Sequence, residues 1–534
     1  MGHRGLQLIE RLLAESPDGQ PSPGWVSPLL AVVGGVGWGL CFGIEPREGW
    51  AFFALAPLVV LLPRRRGVLW AWVFSWVSWL VAMPWIATTL ETFGALPRAL
   101  AVVLGALLAA YLALDIVLFA WLARRVMRRS GRLDGGASGW AAWGALPALW
   151  VAVESLRGLI FGGFPWNLAA YVWTDLPGAL ELSAWIGAEG VSGLLVLTNA
   201  ALALGFLQRR LLAAAIVWAS VGALLAAGFL ASPPGEIAPP GESGGQQVRV
   251  IQPNSGIITA TEAAWESYYR LIEMSRRACD QPALLIWPES AAWPFSWDST
   301  PQLRRDAAEL NARGCPVLMG SALKRPEGWL NAAYVVDENG PGEPYAKRRL
   351  VPFGEYVPFG DLLPFVESLA RNAGNFAPGS RPGLIPWGDQ SLAMAICYEV
   401  IFGPPVAEQV RAGSTALVTV TNDAWYGDSS APHQHLRAAR FRAAENRRPM
   451  LRAALTGISA VIDSRGGVQD SLAIGEMGVL EARLAEGAAE LTLYSRLPHA
   501  PRLLAVLLSA LALAMSWNQK SGEERGGNKK PRGS

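Results

Sequence analysis

Three short runs of the chain hold side chains that could do covalent chemistry. ALLIWPES ends a continuous apolar run on Glu289, SLAMAICYE ends another on Cys397, and YAKRRLVPFGEYVPF sets Lys347 among prolines, a glycine and aromatics. A carboxylate behind Trp287 and Pro288 at the end of a buried strand is partly desolvated, which suits it to taking a proton. A cysteine between a buried strand and the polar pair Tyr398–Glu399 can offer a reachable thiolate. A lysine in a rigid, poorly solvated loop can present a cation to a developing oxyanion. Each also has a plain structural reading: an acid capping a helix or pairing with an arginine, a small buried thiol, a solvated surface charge. Together they allow a cysteine-dependent acyl enzyme. Glu289 takes the thiol proton, Cys397 attacks a carbonyl, and Lys347 with the backbone N–H after Cys397 holds the oxyanion. Glu355 and Glu399 are candidates to hold Lys347 in place while offsetting its buried charge, and Tyr398 to touch lipid or simply pack. His435 is expected to hydrogen-bond inside the domain rather than to catalyse.

Such residues need strands to carry them. QVRVIQ, ALLIWPE, PVLMGSAL, NAAYVVD, SLAMAICYE and ALVTVTND read as strands, several too continuously apolar to face solvent. HQHLRAARFRAAENRRPMLRAA reads as one helix with an Arg-rich polar face. The expectation is an α/β layered domain with its chemistry just beyond the strand ends.

That domain accounts for half of the chain. Of 534 residues, 51% are hydrophobic and only 16% charged, which argues against a wholly soluble protein. Forty-five basic against 43 acidic residues leave no global pull toward nucleic acid. Four scattered cysteines without a CxxC suggest neither a disulfide framework nor a metal site, and no cofactor is called for. Cys279 and Cys315 are expected as buried thiols, with a disulfide open on an oxidising side. Apolar runs at about 26–44, 48–63, 67–90, 97–123, 140–162, 188–207, 211–231 and 501–517 are candidate spans, about eight in all. The domain organisation expected is a membrane domain over 1–231, a Pro/Gly/Ser-rich linker over 232–246, a catalytic domain over 247–498, a closing span over 499–518 and a basic tail over 519–534. Ten basic residues (Arg64, Arg65, Arg66, Arg124, Arg125, Arg128, Arg129, Arg132, Arg209, Arg210) fall in alternate loops, against Arg47 and Arg98 in the others. Both termini are therefore expected in the cytoplasm and the catalytic domain outside. Within the fifth span, Glu154 and Arg157 lie three apart and are expected to form an ion pair.

The order Glu, Lys, Cys, with WPES, KRRLVPFGEYVPF and ICYEVIF around the three, resembles the catalytic triad of the nitrilase superfamily. With seven spans before it and one after, the chain resembles the apolipoprotein N-acyltransferase family over nearly its whole length. GFPWN (163–167), GAEGVSGLL (187–195), VIQPN (250–254), NDAWYG (422–427) and the helix holding His435, Arg442 and Glu445 support this. The chain departs from the family pattern in two places. Thr261 stands near an expected Lys-Trp pair, with Trp265 later, and Thr456 stands in the Asn position of a late turn. The resemblance implies an αββα nitrilase-like sandwich on a multi-pass bacterial inner-membrane protein. It also implies a glycerophospholipid acyl donor and, as acceptor, the α-amino group of a diacylated apolipoprotein. A membrane-tethered nitrilase-like amidohydrolase is the alternative, since the motif does not say whether water, ammonia or an amine resolves the thioester.

Overall fold

The computed structural model describes residues 23–45, 47–92, 94, 96–129, 137–232, 245–256, 261–326, 328–356, 376–485 and 490–526. Arg132, the end of the basic tail and most of the expected linker lie outside these. Among the described residues, three helices are long and apolar enough to cross a bilayer: Arg98–Met127, Ala179–Leu207 and Leu211–Ala231, of 30, 29 and 21 residues. Gly67–Ala82 and Trp85–Thr92 together make a fourth candidate, bent by 55°. Pro84 stands at the break, where it can neither donate a backbone hydrogen bond nor clear the preceding turn. Val26–Leu40, Glu48–Leu61 and Ala500–Ser516 are apolar but shorter. The expected sixth span begins earlier than its apolar run, at Ala179, and breaks at Gly187, where φ is +66°.

The remaining elements form two sheets. Strands β1 (Gln246–Gln252), β2 (Leu284–Ile286), β3 (Val317–Arg325), β4 (Gly328–Asp337), β5 (Gly340–Pro341), β6 (Tyr345–Ala346) and β13 (Gly478–Leu484) make one, in the order β13-β1-β2-β3-β4-β5 with β6 on β4. The other runs β12-β11-β10-β9-β8-β7, from β7 (Leu384–Trp387), β8 (Gln390–Ile396), β9 (Ala416–Thr421), β10 (Met450–Ala454), β11 (Ser459–Ile462) and β12 (Val468–Leu472). Pairs β1/β2, β2/β3, β8/β9 and β9/β10 are parallel. Parallel strands are covered on both faces, which is why their sequences are unbroken apolar runs. Val248, Val250, Ile286 and Leu318 of the first sheet meet Leu392, Met394, Ile396, Val418 and Val420 of the second in one core. Helices Thr261–Ala278 and Pro301–Ala312 cover the far face of the first sheet through Tyr268, Leu271, Leu303 and Leu310. The far face of the second packs on helices Gly403–Arg411 and Ser430–Asn446, and that core continues without a break into the apolar helices.

Two expectations are corrected. The segment read as one helix over 433–454 splits: the helix ends at Asn446, Arg447 turns it off at φ +49°, and β10 follows. Its arginines are not a solvated face, since Arg437, Arg442, Arg448 and Arg452 are all buried. Each is paid for by carbonyls or carboxylates: Arg437 by Gly43 and Ile44, Arg442 by Glu445, Arg448 by Ser414, Arg452 by Asp423. Cys279 and Cys315, expected as thiols, are joined in a disulfide, their Cα atoms 6.1 Å apart. Cys279 follows helix Thr261–Ala278 and Cys315 precedes β3, so packing that helix on the sheet brings the two together.

Candidate active site

The C-terminal ends of β2, β8 and β9 open at one place, and β6 closes over it. Glu289 follows β2 after Trp287 and Pro288, and Gly320 of β3 makes room for it: a Cβ there would stand 3.0 Å from the Glu289 Cα. Cys397 is the first residue past β8 and takes φ +51°, a left-handed conformation that a non-glycine residue adopts at a cost. Lys347 is the first residue past β6, its backbone N–H bonded to the Asn331 carbonyl at 2.7 Å. All three are buried, Lys347 to 1% exposure.

Hydrogen bonds fix the charged groups. Lys347 Nζ donates to Glu355 Oε1 at 2.9 Å and to Glu289 Oε1 at 3.4 Å. Asn331 Nδ2 donates to the same two oxygens, at 2.7 Å for Glu289 and 2.8 Å for Glu355. The remaining oxygens take backbone N–H groups, Glu289 Oε2 from Asn422 at 2.9 Å and Glu355 Oε2 from Val351 at 2.8 Å. Burial disfavours the Lys347 cation, but the charges of Glu289 and Glu355 outweigh it and hold the ammonium above its ordinary range. Burial, followed by the Glu289 charge, pushes the Cys397 thiol up, while Lys347 and a hydrogen bond with Thr421 pull it down by less. The resting group is thus a neutral thiol beside a carboxylate and a permanent cation. Attack by a neutral thiol requires that its proton move as the bond to sulfur forms.

Of the residues expected around the three, Glu355 holds Lys347 directly and Glu399 does not. Glu399 Oε1 instead accepts from the N–H groups of Arg348 at 2.7 Å and Arg349 at 3.2 Å, Oε2 accepts from Ile396 N–H at 2.9 Å, and Tyr345 donates to both oxygens at 3.0 Å. It clamps the backbone after Lys347 to the strand end before Cys397. Such a clamp answers the unpaired N–H groups of two loops that a lysine partner would have left unsatisfied. Burial raises its pKa. Tyr398 donates to the Gly163 carbonyl at 2.7 Å and packs on Phe402 at 5.3 Å and Phe164 at 6.4 Å. Gly163 sits at φ +86°, where a Cβ would collide with the Gly158 carbonyl, so this tie to the GFPWN segment needs a glycine. His435 lies inside the domain, its Nε2 3.0 Å from the Cys397 carbonyl oxygen. Trp265 belongs to an aromatic cluster with Phe295 at 4.1 Å and Tyr268 at 5.8 Å on the outer face of the first sheet.

Asn331 and Asn422 are the residues that the sequence reading missed. Asn331 had a signal, as the one amide within the apolar strand NAAYVVD, since a buried amide must find partners. Asn422 acts through its backbone, which no residue type reveals.

The profile of the apolipoprotein N-acyltransferase N-terminal domain matches residues 34–201, and that of the carbon-nitrogen hydrolases matches 247–492. The apolipoprotein N-acyltransferase of Geobacter metallireducens is 33% identical over 523 residues, covering 92% of this chain and 96% of its own. That of Vibrio cholerae is 30% identical over 85% of this chain and 90% of its own. A solved amidase from Nesterenkonia aligns with 49% of this chain and 97% of its own, at 21% identity and a TM-score of 0.38. The two-sheet domain is a carbon-nitrogen hydrolase fold of the nitrilase superfamily, joined to several apolar helices. Matched along nearly its whole length, the chain belongs to the apolipoprotein N-acyltransferase family, acyltransferases of that superfamily.

Proposed function

We propose that this protein moves an acyl chain from a membrane glycerophospholipid, through a thioester on Cys397, to the α-amino group of the diacylglyceryl-cysteine that begins an apolipoprotein. The observation that carries this reading is the single buried cluster in which the Glu289 carboxylate and the Lys347 ammonium act on the Cys397 thiol. In the first half-reaction Sγ attacks the ester carbonyl and its proton passes to Glu289. The oxyanion rests on Lys347 and the backbone N–H of Tyr398. The C–O bond breaks, and Glu289 returns the proton to the departing lysophospholipid oxygen. In the second, the lipoprotein amine attacks the thioester, Glu289 takes its proton, the C–S bond breaks and the thiolate is reprotonated. Glu355 and Asn331 keep Lys347 and Glu289 in register, Glu399 fixes the loop after Lys347, and Tyr398 ties the nucleophile's turn to the GFPWN segment.

The reading places 1–231 and 499–518 in the bacterial inner membrane as about eight spans. The domain of 247–498 then lies outside on its 232–246 linker, and the termini, with the 519–534 tail, lie inside. The arginine bias of the loops supports this orientation, and so does the Cys279–Cys315 disulfide, which suits an oxidising compartment. The apolar core running from the helices into the second sheet supports a site held close to the bilayer.

The test is the intact mass of the full chain after incubation with vesicles of labelled phospholipid, then with a diacylated lipopeptide. An adduct should map to Cys397 and be discharged onto the lipopeptide amine; Cys397→Ala should form none, and Glu289→Gln should block both steps. Discharge to water at a rate indifferent to the lipopeptide would favour the amidohydrolase reading. The absence of any adduct would end the covalent mechanism.

A further inference from the structure

Two adjacent residues of helix Ser430–Asn446 reach in opposite directions. Gln434 is buried, and its amide serves the membrane part of the molecule. Nε2 donates to the carbonyls of Phe42 and Ala82, each at 2.8 Å, and Oε1 accepts the indole N–H groups of Trp166 at 2.8 Å and Trp85 at 3.3 Å. Ala82 ends helix Gly67–Ala82 and Phe42 lies just past helix Val26–Leu40. Carbonyls at such ends lack partners within their own helix, and here a side chain of the catalytic domain supplies them.

His435, one residue on, faces the site. Its Nε2 lies 3.0 Å from the Cys397 carbonyl, an acceptor that only a ring N–H can satisfy. Its Nδ1 is 3.2 Å from Arg452 Nη2 and 3.3 Å from Asp423 Oδ1, while Arg452 binds Asp423 Oδ2 at 2.6 Å. The ring stacks on Trp166 at 5.6 Å, so one indole of the GFPWN segment touches both helix residues. The Cys397 carbonyl and the Tyr398 N–H belong to the same planar peptide. Fixing the oxygen therefore fixes the N–H proposed above to hold the oxyanion. It also pins the residue held at φ +51°.

We infer that Gln434 and His435 are positioning residues: His435 orients the peptide that carries the nucleophile, and Gln434 locks the helix bearing His435 to the ends of the membrane helices. The thiol and its neighbouring N–H thereby keep one register against an ester presented from the bilayer. Neither residue touches the reacting atoms. The inference rests on Cys397 being the nucleophile.

The experiment uses the full chain in vesicles of equal phosphatidylethanolamine and phosphatidylglycerol with a labelled acyl chain. It reads the initial rate of adduct formation at Cys397 and, separately, alkylation of Cys397 by iodoacetamide. His435→Leu should slow acylation about 10–100-fold, the scale of a misplaced reacting group, with the apparent KM for phospholipid unchanged. His435→Gln, whose Nε2 reaches the same carbonyl, should recover most of the rate and keep the wild-type pH profile. Gln434→Leu should slow acylation from vesicles at least tenfold by the same misplacement while alkylation stays at the wild-type rate. If Gln434→Leu does not fold, Trp166→Phe removes one of its bonds, keeps the stacked ring, and should slow acylation measurably with alkylation unchanged. A normal rate in His435→Leu, a His435→Gln as slow as His435→Leu, or acylation and alkylation falling in step at Gln434 or Trp166 would overturn the inference. Lack of any Cys397 adduct in the unmodified protein would instead overturn the nucleophile assignment on which it stands.

Discussion

Lys347, buried in the catalytic domain, and Arg157, half-buried among the apolar helices, are both cations set between two carboxylates. Lys347 lies 2.9 Å from Glu355 and 3.4 Å from Glu289; Arg157 lies 2.8 Å from Asp115 and 3.9 Å from Glu154. The pairing of Arg157 with Glu154, expected from their spacing, is thus the longer contact, and Asp115 from another helix is the closer partner. Charge is matched in the two clusters, but their hydrogen bonding is not. Each oxygen of Glu289 and Glu355 has a partner, two of them backbone N–H groups of loops at the sheet ends. Around Arg157, its own Nε, Asp115 Oδ1, Glu154 Oε2 and both polar atoms of Asn167 have none. All four residues line a cavity of about 30 Å³ walled by Trp38, Trp79 and Trp150. Strand ends leave N–H groups free to bind anions, whereas a helix consumes its own; the backbone N–H that reaches Glu154 is that of Ala169, in the connection after the helix. A satisfied cluster holds its charges at fixed points, as transition-state stabilisation requires. An unsatisfied one next to a cavity of this size has room for two or three waters at ~10–15 Å³ each.

The contrast predicts that removing the two cations does different things. Lys347→Met should cut the rate of adduct formation about 10²–10³-fold, near 3–4 kcal/mol, the scale for one lost oxyanion donor. It also leaves Glu289 and Glu355 facing each other across Asn331, so the variant should be less stable unless one carboxyl takes up a proton. Adduct kinetics at several pH values, with thermal unfolding beside them, check both. Near-normal acylation in the folded variant would make Lys347 a structural ion like Arg157.

Arg157→Met should act on stability alone. Stripping a buried pair of its cation costs roughly 3–5 kcal/mol, read as a lower unfolding temperature and lower abundance in the membrane. The fraction that folds should acylate Cys397 at close to the usual rate. A large rate loss in well-folded protein would place the Arg157 cluster in the working site and erase the difference between the two.

The same contrast separates what could be read from sequence from what could not. The strands that carry Glu289, Cys397 and the Asn422 turn are buried on both faces, so local composition announces them. The residues ending them follow from the rule that chemistry gathers there. Asp115 and Arg157 are 42 residues apart and meet only because their helices pack. Arg437 finds its carbonyls at a separation of nearly 400 residues, and Gln434 likewise. No periodicity records such partners, which is why the arginines of Ser430–Asn446 read as a solvated face. Strands β10, β12 and β13 escaped for a related reason. Arg452, Asp470 and Glu481 interrupt their runs, and only tertiary partners such as the Asp423 carboxylate make Arg452 acceptable inside.

Alkaline pH probes the catalytic cluster when the unmodified chain is compared with Cys397→Ala. Cys397 and Lys347 both hold their protons more tightly in the folded chain than their ordinary values of 9.0 and 10.5. Above pH 9.0 the unfolded chain loses the cysteine proton that the folded chain keeps, so stability falls as pH rises. Lysine adds to the slope above 10.5. Unfolding temperatures between pH 9 and 10 should therefore decline less steeply in Cys397→Ala than in the unmodified protein. Equal slopes would mean that the thiol is not held neutral by its surroundings.

The smallest effect belongs to Glu154, and it is the sharpest test of the unsatisfied cluster. Its Oε1 accepts from Ala169 N–H at 2.8 Å and from the Trp150 indole at 3.4 Å, while its Oε2 has no partner. In Glu154→Gln the amide oxygen can keep the Ala169 bond, and the NH2 takes the orphaned position facing the cavity, where a donor can reach Asn167 or Asp115. Arg157 keeps Asp115 as its counter-ion. A buried carboxylate that lacks half its partners gains little from its charge, so neutralising it should change stability by less than about 1 kcal/mol, in either direction. The rate of Cys397 acylation should not move. The corresponding change in the other cluster, Glu289→Gln, removes the proton acceptor and should abolish turnover although the fold survives. The paired measurement is unfolding temperature and adduct rate for both variants in the same vesicles. If Glu154→Gln proves as damaging to stability as Arg157→Met, the Arg157 cluster is a fully engaged triad whose missing partners are supplied, and its likeness to the Lys347 cluster is closer than the hydrogen bonds imply.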